Sequence, residues 1–214
     1  MLTFIFGGSA SGKSEYAEQY AASLAHKCNA PLLYLATMCA NDTESKQRIE
    51  RHRRMRADKS FQTMEVSKEI GRIVVEFDSV VLLECLSNLL ANEMFSSNTT
   101  AYSVSSLLQQ IRHLQAHCQH LIVVSNEIFS DGICYDLSTT QYLSDLGYLH
   151  RELCRTANEI YEVVCGIPIS HRKGGVMGVY CALFALHLGC IPKFLCQNLS
   201  GIQKTCDTPC AFFH

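Results

Sequence analysis

Near its start the chain carries a stretch that strongly constrains its fold: Gly7-Gly8-Ser9-Ala10-Ser11-Gly12-Lys13-Ser14 matches the spacing G-x-x-x-x-G-K-[ST]. The apolar run 2–6 before it predicts a strand, and the Ala- and Glu-rich segment 13–25 that it opens predicts a helix. Glycines between a strand and a helix allow backbone N–H groups to surround a phosphate, and the helix N-terminus adds partial positive charge. We therefore predict a phosphate-binding loop (P-loop). A glycine-rich turn without a ligand is the alternative.

The rest of the chain alternates between short apolar runs and longer segments with helical spacing. The runs 31–36, 79–84, 121–125 and 160–165 predict further strands, and helices are predicted at 44–56, 86–95, 102–118 and 139–158. Ile70, Ile73, Val74 and Phe77 follow an i, i+3, i+4, i+7 pattern, which predicts one more helix resting on the sheet. This alternation is typical of an α/β fold, here P-loop NTPase-like, with a largely parallel sheet flanked by helices.

Charge and composition narrow the range of partners. The formal net charge is −2 and 48% of the residues are hydrophobic, which argues against a general nucleic-acid binder and favours a small-molecule substrate. The amino terminus lacks the basic segment and the long apolar run of a signal peptide, so we expect a cytoplasmic protein. Cysteines in apolar runs, such as Cys85 and Cys165, are accordingly expected to be reduced and buried.

Two residues of the loop and one distant carboxylate predict a site for a nucleotide with Mg²⁺. Lys13 would reach the β- and γ-phosphates, and Ser14 would bind the metal ion. Proteins with this loop also need a carboxylate at the end of a neighbouring strand, and Glu84 supplies one after the run 80–83, unless it only marks the end of that strand. Glu127 is a second candidate, which a strand running into a polar turn explains nearly as well.

A basic segment surrounds one histidine. Seven of the 18 basic residues lie between Lys46 and Lys59. On a helix, Arg48, His52 and Arg56 share one face, so that two guanidinium groups flank the imidazole. Such neighbours favour a neutral, nucleophilic imidazole with an anion such as a phosphate ester beside it. A solvated basic helix that carries a surface histidine is the alternative.

Together these motifs resemble one family, the bifunctional adenosylcobinamide kinase/adenosylcobinamide-phosphate guanylyltransferases of cobalamin biosynthesis. The similarity spans roughly residues 2–173. The matching segments are FGGSASGKS at 6–14, YLAT at 34–37 with Asp42 and Glu44 after it, RIERHRRMR at 48–56, Thr63-x-Glu65, LLEC at 82–85 and VSNE at 124–127. The pattern R-I-x-x-H-R-x-x-R together with a P-loop is much more specific than either motif alone.

The resemblance implies both a chemistry and a set of site residues. Members of the family phosphorylate adenosylcobinamide with ATP or GTP and then transfer GMP from GTP through a covalent guanylyl-histidine, which by motif position is His52. The implied catalytic residues are His52 and Lys13, and the implied metal ligands are Ser14 and Glu84. The implied nucleotide contacts are Gly7 to Ser14, Ala36, Thr37, Arg53, Arg56, Glu65 and Glu84. Family members associate, which implies a homo-oligomer.

The chain also departs from the family pattern. Ala10 stands where the loop usually has Arg, Phe61 stands where Trp is usual, and the residues after Glu127 read Ile-Phe-Ser-Asp-Gly rather than a tighter Gly-x-Gly turn. These changes leave the nucleotide preference and the role of that turn open. Two rival functions also stay open: a P-loop kinase of another small metabolite, with His52 a bystander, and a nucleotide-dependent binding switch without turnover.

From Gly174 the composition changes and the similarity ends. We divide the chain into a kinase/guanylyltransferase domain, 1–173, and a Cys-rich apolar tail of unknown role, 174–214. The apolar run 176–191 is shorter than the ~20 residues that span a bilayer, so a packing helix is favoured over a membrane helix. Cys196, Cys206, Cys210 and His214 lack the paired spacing of zinc ligands, and a translation artefact is a further possibility. We expect the tail to be dispensable for catalysis, because the predicted phosphate-handling residues precede residue 128.

Overall fold

The five apolar runs that predict strands all lie in one eight-stranded sheet in the computed structural model, which describes residues 1–39, 43–56, 58–96, 102–174 and 176–177. The strands are Leu2–Gly7 (β1), Leu32–Ala36 (β2), Gln62–Glu65 (β3), Val80–Glu84 (β4), His120–Asn126 (β5), Glu159–Val164 (β6), Ile167–Lys173 (β7) and Val176–Met177 (β8). Their order is β3-β2-β4-β5-β1-β6-β7-β8, parallel from β3 to β6 and antiparallel from β6 to β8. The predicted α/β fold with a largely parallel sheet is confirmed.

Helices cover both faces of this sheet. They are Lys13–Cys28 (α1), Thr43–Arg56 (α2), Leu86–Met94 (α3), Val104–Ala116 (α4) and Leu137–Thr156 (α5), in the segments where helical spacing predicts them. One face packs the alanines of α1 against β-branched and leucine side chains of β1, β4 and β5. The other face packs leucines of α3, α4 and α5 against Phe4, Phe6 and their neighbours. Burial on both faces explains why the central strands are apolar throughout.

The carboxyl ends of the parallel strands share one edge of the sheet, and the P-loop and Glu84 both lie there. Strand β5 lies between β1 and β4, so Glu84 is two strands from the loop rather than on the adjacent strand. Strands are spaced about 4.8 Å apart, which separates the ends of β1 and β4 by about 10 Å. The site is therefore an open edge with room for a ligand between the loop and the carboxylate.

The predicted helix over residues 70–77 is wrong. Only Ile70–Arg72 form a helical turn, of the 3-10 type, and the chain is irregular from Ile73 to the start of β4. Ile70 is buried and Ile73 packs on the core, but Val74 is 91% exposed and Phe77 is 75% exposed. Gly71 and the β-branched residues that follow have low helix propensity, so two packed residues do not extend the turn into a helix.

The apolar-run criterion also missed strands β3, β7 and β8 and misjudged one cysteine. Strand β3 is short and exposed at the edge of the sheet, and β7 is mostly exposed and polar from Ser170 onward, beside an antiparallel partner. Cys85 is buried as predicted, whereas Cys165 is exposed because it lies in the tight turn between β6 and β7. The seven cysteines within the described residues are free thiols.

The sheet continues a little past residue 173. Val176–Met177 pair with β7 as strand β8, so the predicted packing helix does not begin at 176, and its remaining residues lie outside the described part of the chain. The cysteines and the histidine of the tail also lie outside it, and the division at 173/174 stays a prediction. Among the helices that the structure describes, none is long and apolar enough to cross a lipid bilayer.

Candidate active site

The P-loop has the backbone shape that its glycines predict. Gly12 adopts φ +87° at the N-cap of α1, where a side chain would be strained. A Cβ atom at Gly7 would lie 2.4 Å from the Val163 carbonyl oxygen and 2.6 Å from Ser11 Oγ. A Cβ atom on Gly8 would have no atom of the described residues within 4 Å, so that side of the loop is open. Gly7 and Gly12 therefore shape the loop, while Gly8 lines the open side.

The turn between β6 and β7 contacts the P-loop and supports it through main-chain atoms. The Gly166 N–H donates a 2.8 Å hydrogen bond to the Ser11 carbonyl, and a Cβ atom on Gly12 would lie 3.1 Å from Gly166 Cα. Within the loop, the Ser11 N–H donates to the Gly8 carbonyl at 3.2 Å. Main-chain groups thus fix the curvature of the loop.

The two polar side chains at the start of α1 lie where the motif predicts. Lys13 is buried, and its Nζ donates a 3.0 Å hydrogen bond to the Gly8 carbonyl, across the mouth of the loop. Ser14 follows in the first turn of α1 and is half-buried. Ser9 and Ala10 are exposed on the outer side of the loop, and Ala10 adopts φ +55°.

Glu84 joins the sheet to the histidine. It ends β4 as predicted, and its Oε2 accepts a 3.1 Å hydrogen bond from the Tyr34 hydroxyl of β2. Its Oε1 lies 3.8 Å from His52 Nδ1, which α2 brings over this edge of the sheet. The structure therefore brings together two residues predicted from separate motifs, and the solvated-surface alternative for His52 does not fit a half-buried ring beside a buried carboxylate.

The surroundings of His52 keep its imidazole neutral. Burial lowers its pKa below the usual 6.5, Glu84 opposes that effect, and the positive charges of Arg56, Arg51 and Lys13 lower it further. The sequence predicted this direction from the flanking arginines, but burial is the larger cause. The positive charge of the P-loop Lys13 acts in the same direction as the charges of the two arginines. The Arg48 side chain lies outside what the structure describes.

Arg56 lies deeper than the sequence predicts. It is only 6% exposed, and its guanidinium carbon stacks 3.6 Å from the centre of the Tyr34 ring. Its Nη1 lies 3.9 Å from Oε1 of Glu18, a fully buried carboxylate of α1 whose Oε2 accepts a 2.7 Å hydrogen bond from Lys59. Burial raises the pKa of Glu18, and the hydrogen bond from Lys59 opposes that rise.

Sequence reasoning missed Glu18, Tyr34 and Lys59 as parts of this corner. One signal was available: Glu18 interrupts the buried stripe of α1 that includes Ala17, Ala21 and Ala25. A carboxylate on such a stripe needs a cationic partner inside the protein. One ligand atom each of Glu18, His52 and Glu84 lie within 4.8 Å of one another. We call the set Glu18, Tyr34, His52, Arg56, Lys59 and Glu84 the charged corner.

Thr37 lies beneath the site. Its hydroxyl donates to the Cys85 carbonyl at 2.9 Å and accepts from the Cys85 N–H at 2.7 Å, and its N–H donates to the Glu84 carbonyl at 3.0 Å. Asn92 donates to the Thr37 carbonyl. With no exposed surface, Thr37 fixes the end of β4 and so the position of Glu84.

Arg53 and Glu65 form a separate group on the outer side of α2. Arg53 Nη2 lies 2.5 Å from Glu65 Oε1, and the two side chains are 54% and 69% exposed. They line an open groove of about 690 Å³ between α2 and the ends of β2 and β3, together with Ala36. Thr37 has no surface exposed for a nucleotide. The other predicted nucleotide contacts lie in two places, the charged corner with the P-loop and this groove.

The departures from the family pattern have simple structural outcomes. Phe61 packs edge-on against Tyr34, with ring centres 5.7 Å apart. The Glu127 carboxylate accepts hydrogen bonds from the Phe129 N–H and the Ser130 hydroxyl, both at 2.9 Å, so it closes its own turn. This geometry favours the polar-turn interpretation of Glu127 over a metal-binding one. Asp42 lies outside the described residues, as does the Glu44 side chain.

Comparison with known proteins agrees with the geometry. The sequence matches the family described as cobinamide kinase / cobinamide phosphate guanyltransferase over residues 3–171. The bifunctional adenosylcobalamin biosynthesis protein CobU of Escherichia coli (strain K12) is 28% identical over 185 residues, covering 79% of this chain and 98% of the relative. The bifunctional adenosylcobalamin biosynthesis protein CobP of Pseudomonas aeruginosa is 27% identical over 174 residues. That alignment covers 79% of this chain and 96% of the relative.

The solved structures that align with this chain have lower sequence identity to it than these relatives. Flagellar accessory protein FlaH from Methanocaldococcus jannaschii aligns with a TM-score of 0.44 at 13% identity, covering 81% of this chain and 78% of that one. A solved ATPase domain aligns with a TM-score of 0.45 at 11% identity, and the alignment covers 75% of this chain and 68% of that one. The family match covers most of the sequence, including the P-loop, α2 and Glu84. The chain belongs to the cobinamide kinase / cobinamide phosphate guanyltransferase family, and the predicted class of enzyme is thereby confirmed.

Proposed function

We propose that this enzyme phosphorylates adenosylcobinamide at the P-loop and then transfers GMP from GTP to the product through a covalent intermediate on His52. The observation that carries the proposal is the position of His52. Its ring lies beside Glu84 at the edge of the sheet where the P-loop ends, and its environment keeps it neutral. A neutral imidazole next to a phosphate-binding loop is suited to attack a nucleotide.

In the kinase reaction, the oxygen of the substrate hydroxyl attacks the γ-phosphorus of the triphosphate and loses its proton to water. The bond from the γ-phosphorus to the bridging oxygen breaks, and the nucleoside diphosphate leaves with the electron pair. Lys13 would stabilise the negative charge that develops on the phosphate oxygens, and the N–H groups of the loop would orient them. The Ser14 hydroxyl and the Glu84 carboxylate offer the oxygen ligands that Mg²⁺ prefers, so the residues fit this ion. When bound, Mg²⁺ would neutralise phosphate charge.

In the transfer reaction, a ring nitrogen of His52 attacks the α-phosphorus of GTP. A P–N bond forms, the bond to the β-phosphate oxygen breaks, and pyrophosphate leaves with the bonding electrons. A phosphate oxygen of adenosylcobinamide phosphate then attacks the same phosphorus, the P–N bond breaks, and the electron pair returns to His52. This order divides one difficult displacement into two, and pyrophosphate has left before the phosphate of the substrate attacks.

The geometry favours Nε2 as the attacking nitrogen. Nδ1 is buried and faces Glu84, whereas 19% of the His52 side chain remains exposed. A carboxylate beside Nδ1 favours the tautomer that carries its proton there, which leaves the lone pair on Nε2. Glu84 would then also stabilise the positive charge that the ring gains on attack.

The groove beside α2 offers further contacts for the nucleotide. Ala36, Arg53 and Glu65 would contact the nucleotide in the groove, since Arg53 and Glu65 present exposed charged groups there. Arg56, held inside the charged corner, would contribute its positive charge rather than a surface contact. Mg²⁺, a choice between ATP and GTP, association into a homo-oligomer and a cytoplasmic location remain predictions.

The decisive experiment is intact-protein mass spectrometry after incubation with GTP and Mg²⁺, followed by peptide mapping. We expect one GMP added at His52, labile in acid and stable in base. A phosphorylated metabolite without any GMP adduct would instead support the simple kinase. Tight nucleotide binding with slow hydrolysis and no phosphorylated corrinoid would support the binding switch.

A further inference from the structure

Glu18 is the one member of the charged corner that belongs to the P-loop helix. It lies one turn after Ser14 on α1, and none of its surface is exposed. A buried carboxylate is costly unless cations or hydrogen-bond donors surround it. Its presence on the face of α1 that otherwise carries alanines therefore calls for a structural or functional reason.

The partners of Glu18 come from the histidine helix and the residues just after it. Lys59 donates to Oε2 at 2.7 Å, and Arg56 approaches Oε1 at 3.9 Å. Arg56 is one helical turn after His52 and faces the same side of α2. Glu18 thus connects the helix that carries Lys13 and Ser14 to the helix that carries His52.

The rest of the corner carries this connection to the reacting groups. The Arg56 guanidinium stacks on Tyr34, and the Tyr34 hydroxyl donates to the Glu84 carboxylate that faces His52. Four buried atoms in this corner have no hydrogen-bond partner among the described residues: Glu18 Oε1, His52 Nδ1, and Nε and Nη1 of Arg56. Charge attraction across short gaps, rather than a saturated hydrogen-bond network, therefore holds α2 at this position.

A metal ion on Glu18, His52 and Glu84 would be a different use of the same cluster. Lys59 and Arg56 already place two positive charges beside Glu18, and the positive charge of Lys13 also acts on His52. A divalent cation at this point would be repelled by all three. The arrangement is therefore better suited to fixing a helix than to binding a metal.

We propose that Glu18 is a positioning residue for guanylyl transfer, which holds α2 against α1 through Lys59 and Arg56 so that His52 faces the P-loop. This proposal rests on the proposed role of His52. The kinase reaction uses the loop and the end of β4, which main-chain hydrogen bonds and Thr37 hold in place, so it should depend on Glu18 much less. Guanylylation should depend on it strongly, because a displacement of a reacting group by about 1 Å can reduce a rate by about 10²-fold.

The test compares Glu18→Gln with Glu15→Gln, an exposed glutamate on the same helix that accepts a hydrogen bond from Gln19. The amide keeps the size of Glu18 and can still accept from Lys59, but it removes the charge that attracts Arg56. We expect Glu18→Gln to slow formation of the GMP adduct by about 10²-fold and to change the kinase rate and its KM for nucleotide much less. Glu15→Gln should leave both activities unchanged, and Glu18→Asp should restore part of the guanylylation.

A second variant covers the case in which Glu18→Gln does not fold. Lys59→Met keeps the aliphatic stem of a partly exposed residue and removes the donor to Glu18. It should slow guanylylation more than it slows the kinase reaction. Equal loss of both activities in every folded variant, or no loss of guanylylation, would overturn the proposal. Absence of a GMP adduct in the unmodified enzyme would instead remove the proposed role of His52.

Discussion

The P-loop and the histidine helix α2 meet at the same edge of the sheet, but they are held there by different interactions. Main-chain hydrogen bonds and close glycine contacts with the β6–β7 turn fix the loop. Buried carboxylates of α1 and β4, together with the Tyr34 ring of β2, fix the functional face of α2. A loop fixed by its backbone keeps its shape through most side-chain changes, whereas a helix fixed by charges depends on a few residues.

The largest effect should follow from removing the nucleophile of α2. We expect His52→Ala to abolish the GMP adduct while nucleotide binding and kinase activity persist, because the loop does not use the ring for its shape. Mass spectrometry and a kinase assay on the same sample measure both. His26→Ala, in the last turn of α1, is the matched control. A GMP adduct retained by His52→Ala would show that another residue carries the intermediate.

Removing the positive charge of the P-loop should reduce the kinase activity. Lys13→Ala should reduce kinase activity by at least about 10²-fold, which is typical of losing a preorganised group that stabilises developing charge. Lys27→Ala, near the end of the same helix, should have no such effect. Phosphorylation of adenosylcobinamide at the normal rate by Lys13→Ala would contradict the assignment of this lysine.

Glycine substitutions test whether the backbone holds the loop. Gly7→Ala should lower the free energy of unfolding by about 1–3 kcal/mol, as overpacking does elsewhere, because its Cβ would approach the Val163 carbonyl to 2.4 Å. Gly8→Ala meets no described atom within 4 Å and should leave stability nearly unchanged. Urea unfolding of the two variants measures the difference. Equal stabilities would mean that the loop adapts more easily than its contacts indicate.

The smallest effect concerns the pH dependence of guanylylation. Burial, with the neighbouring cations, lowers the pKa of His52, so the nucleophilic neutral form should persist below the usual pKa of 6.5 and the rate should fall only at lower pH. Arg51→Gln removes one cation and should raise that pKa, which moves the loss of rate to higher pH. Initial rates of adduct formation between about pH 4 and pH 8, spanning the usual range for histidine, measure the shift. A shift in the opposite direction would contradict the proposed electrostatics.

These contrasts also explain which features could be predicted from the sequence. The loop, Lys13 and Ser14 follow from a local motif, and Glu84 follows from an apolar run that ends in a carboxylate. Strand β3 and the turn at Ile70–Arg72 were not predicted, because edge strands and short packed turns have weak patterns of hydrophobic residues. The charged corner could not be predicted from the sequence, because Glu18, Tyr34 and Lys59 are far apart in the chain and come together only in the tertiary fold.

The position of His52 illustrates the limit of pattern and the value of resemblance. Helical spacing placed two arginines near the ring, but it also allowed an exposed basic helix. The family pattern R-I-x-x-H-R selected this histidine, and the structure then placed it beside Glu84. The buried location of Arg56 and the burial of Thr37 could not be predicted, because both depend on how α2 and β4 pack against distant strands.

The central place of β1 in the sheet has a consequence for the synthesis of the protein. This strand leaves the ribosome well before its partners β5 and β6, which are made more than one hundred residues later, and the P-loop is completed by a hydrogen bond from Gly166. Until those strands emerge, β1 lacks both of its neighbours in the sheet and the loop has no support beneath it. Such long-range pairing folds late. Nucleotide binding is thus a property that a growing chain acquires only after the β6–β7 turn has been translated.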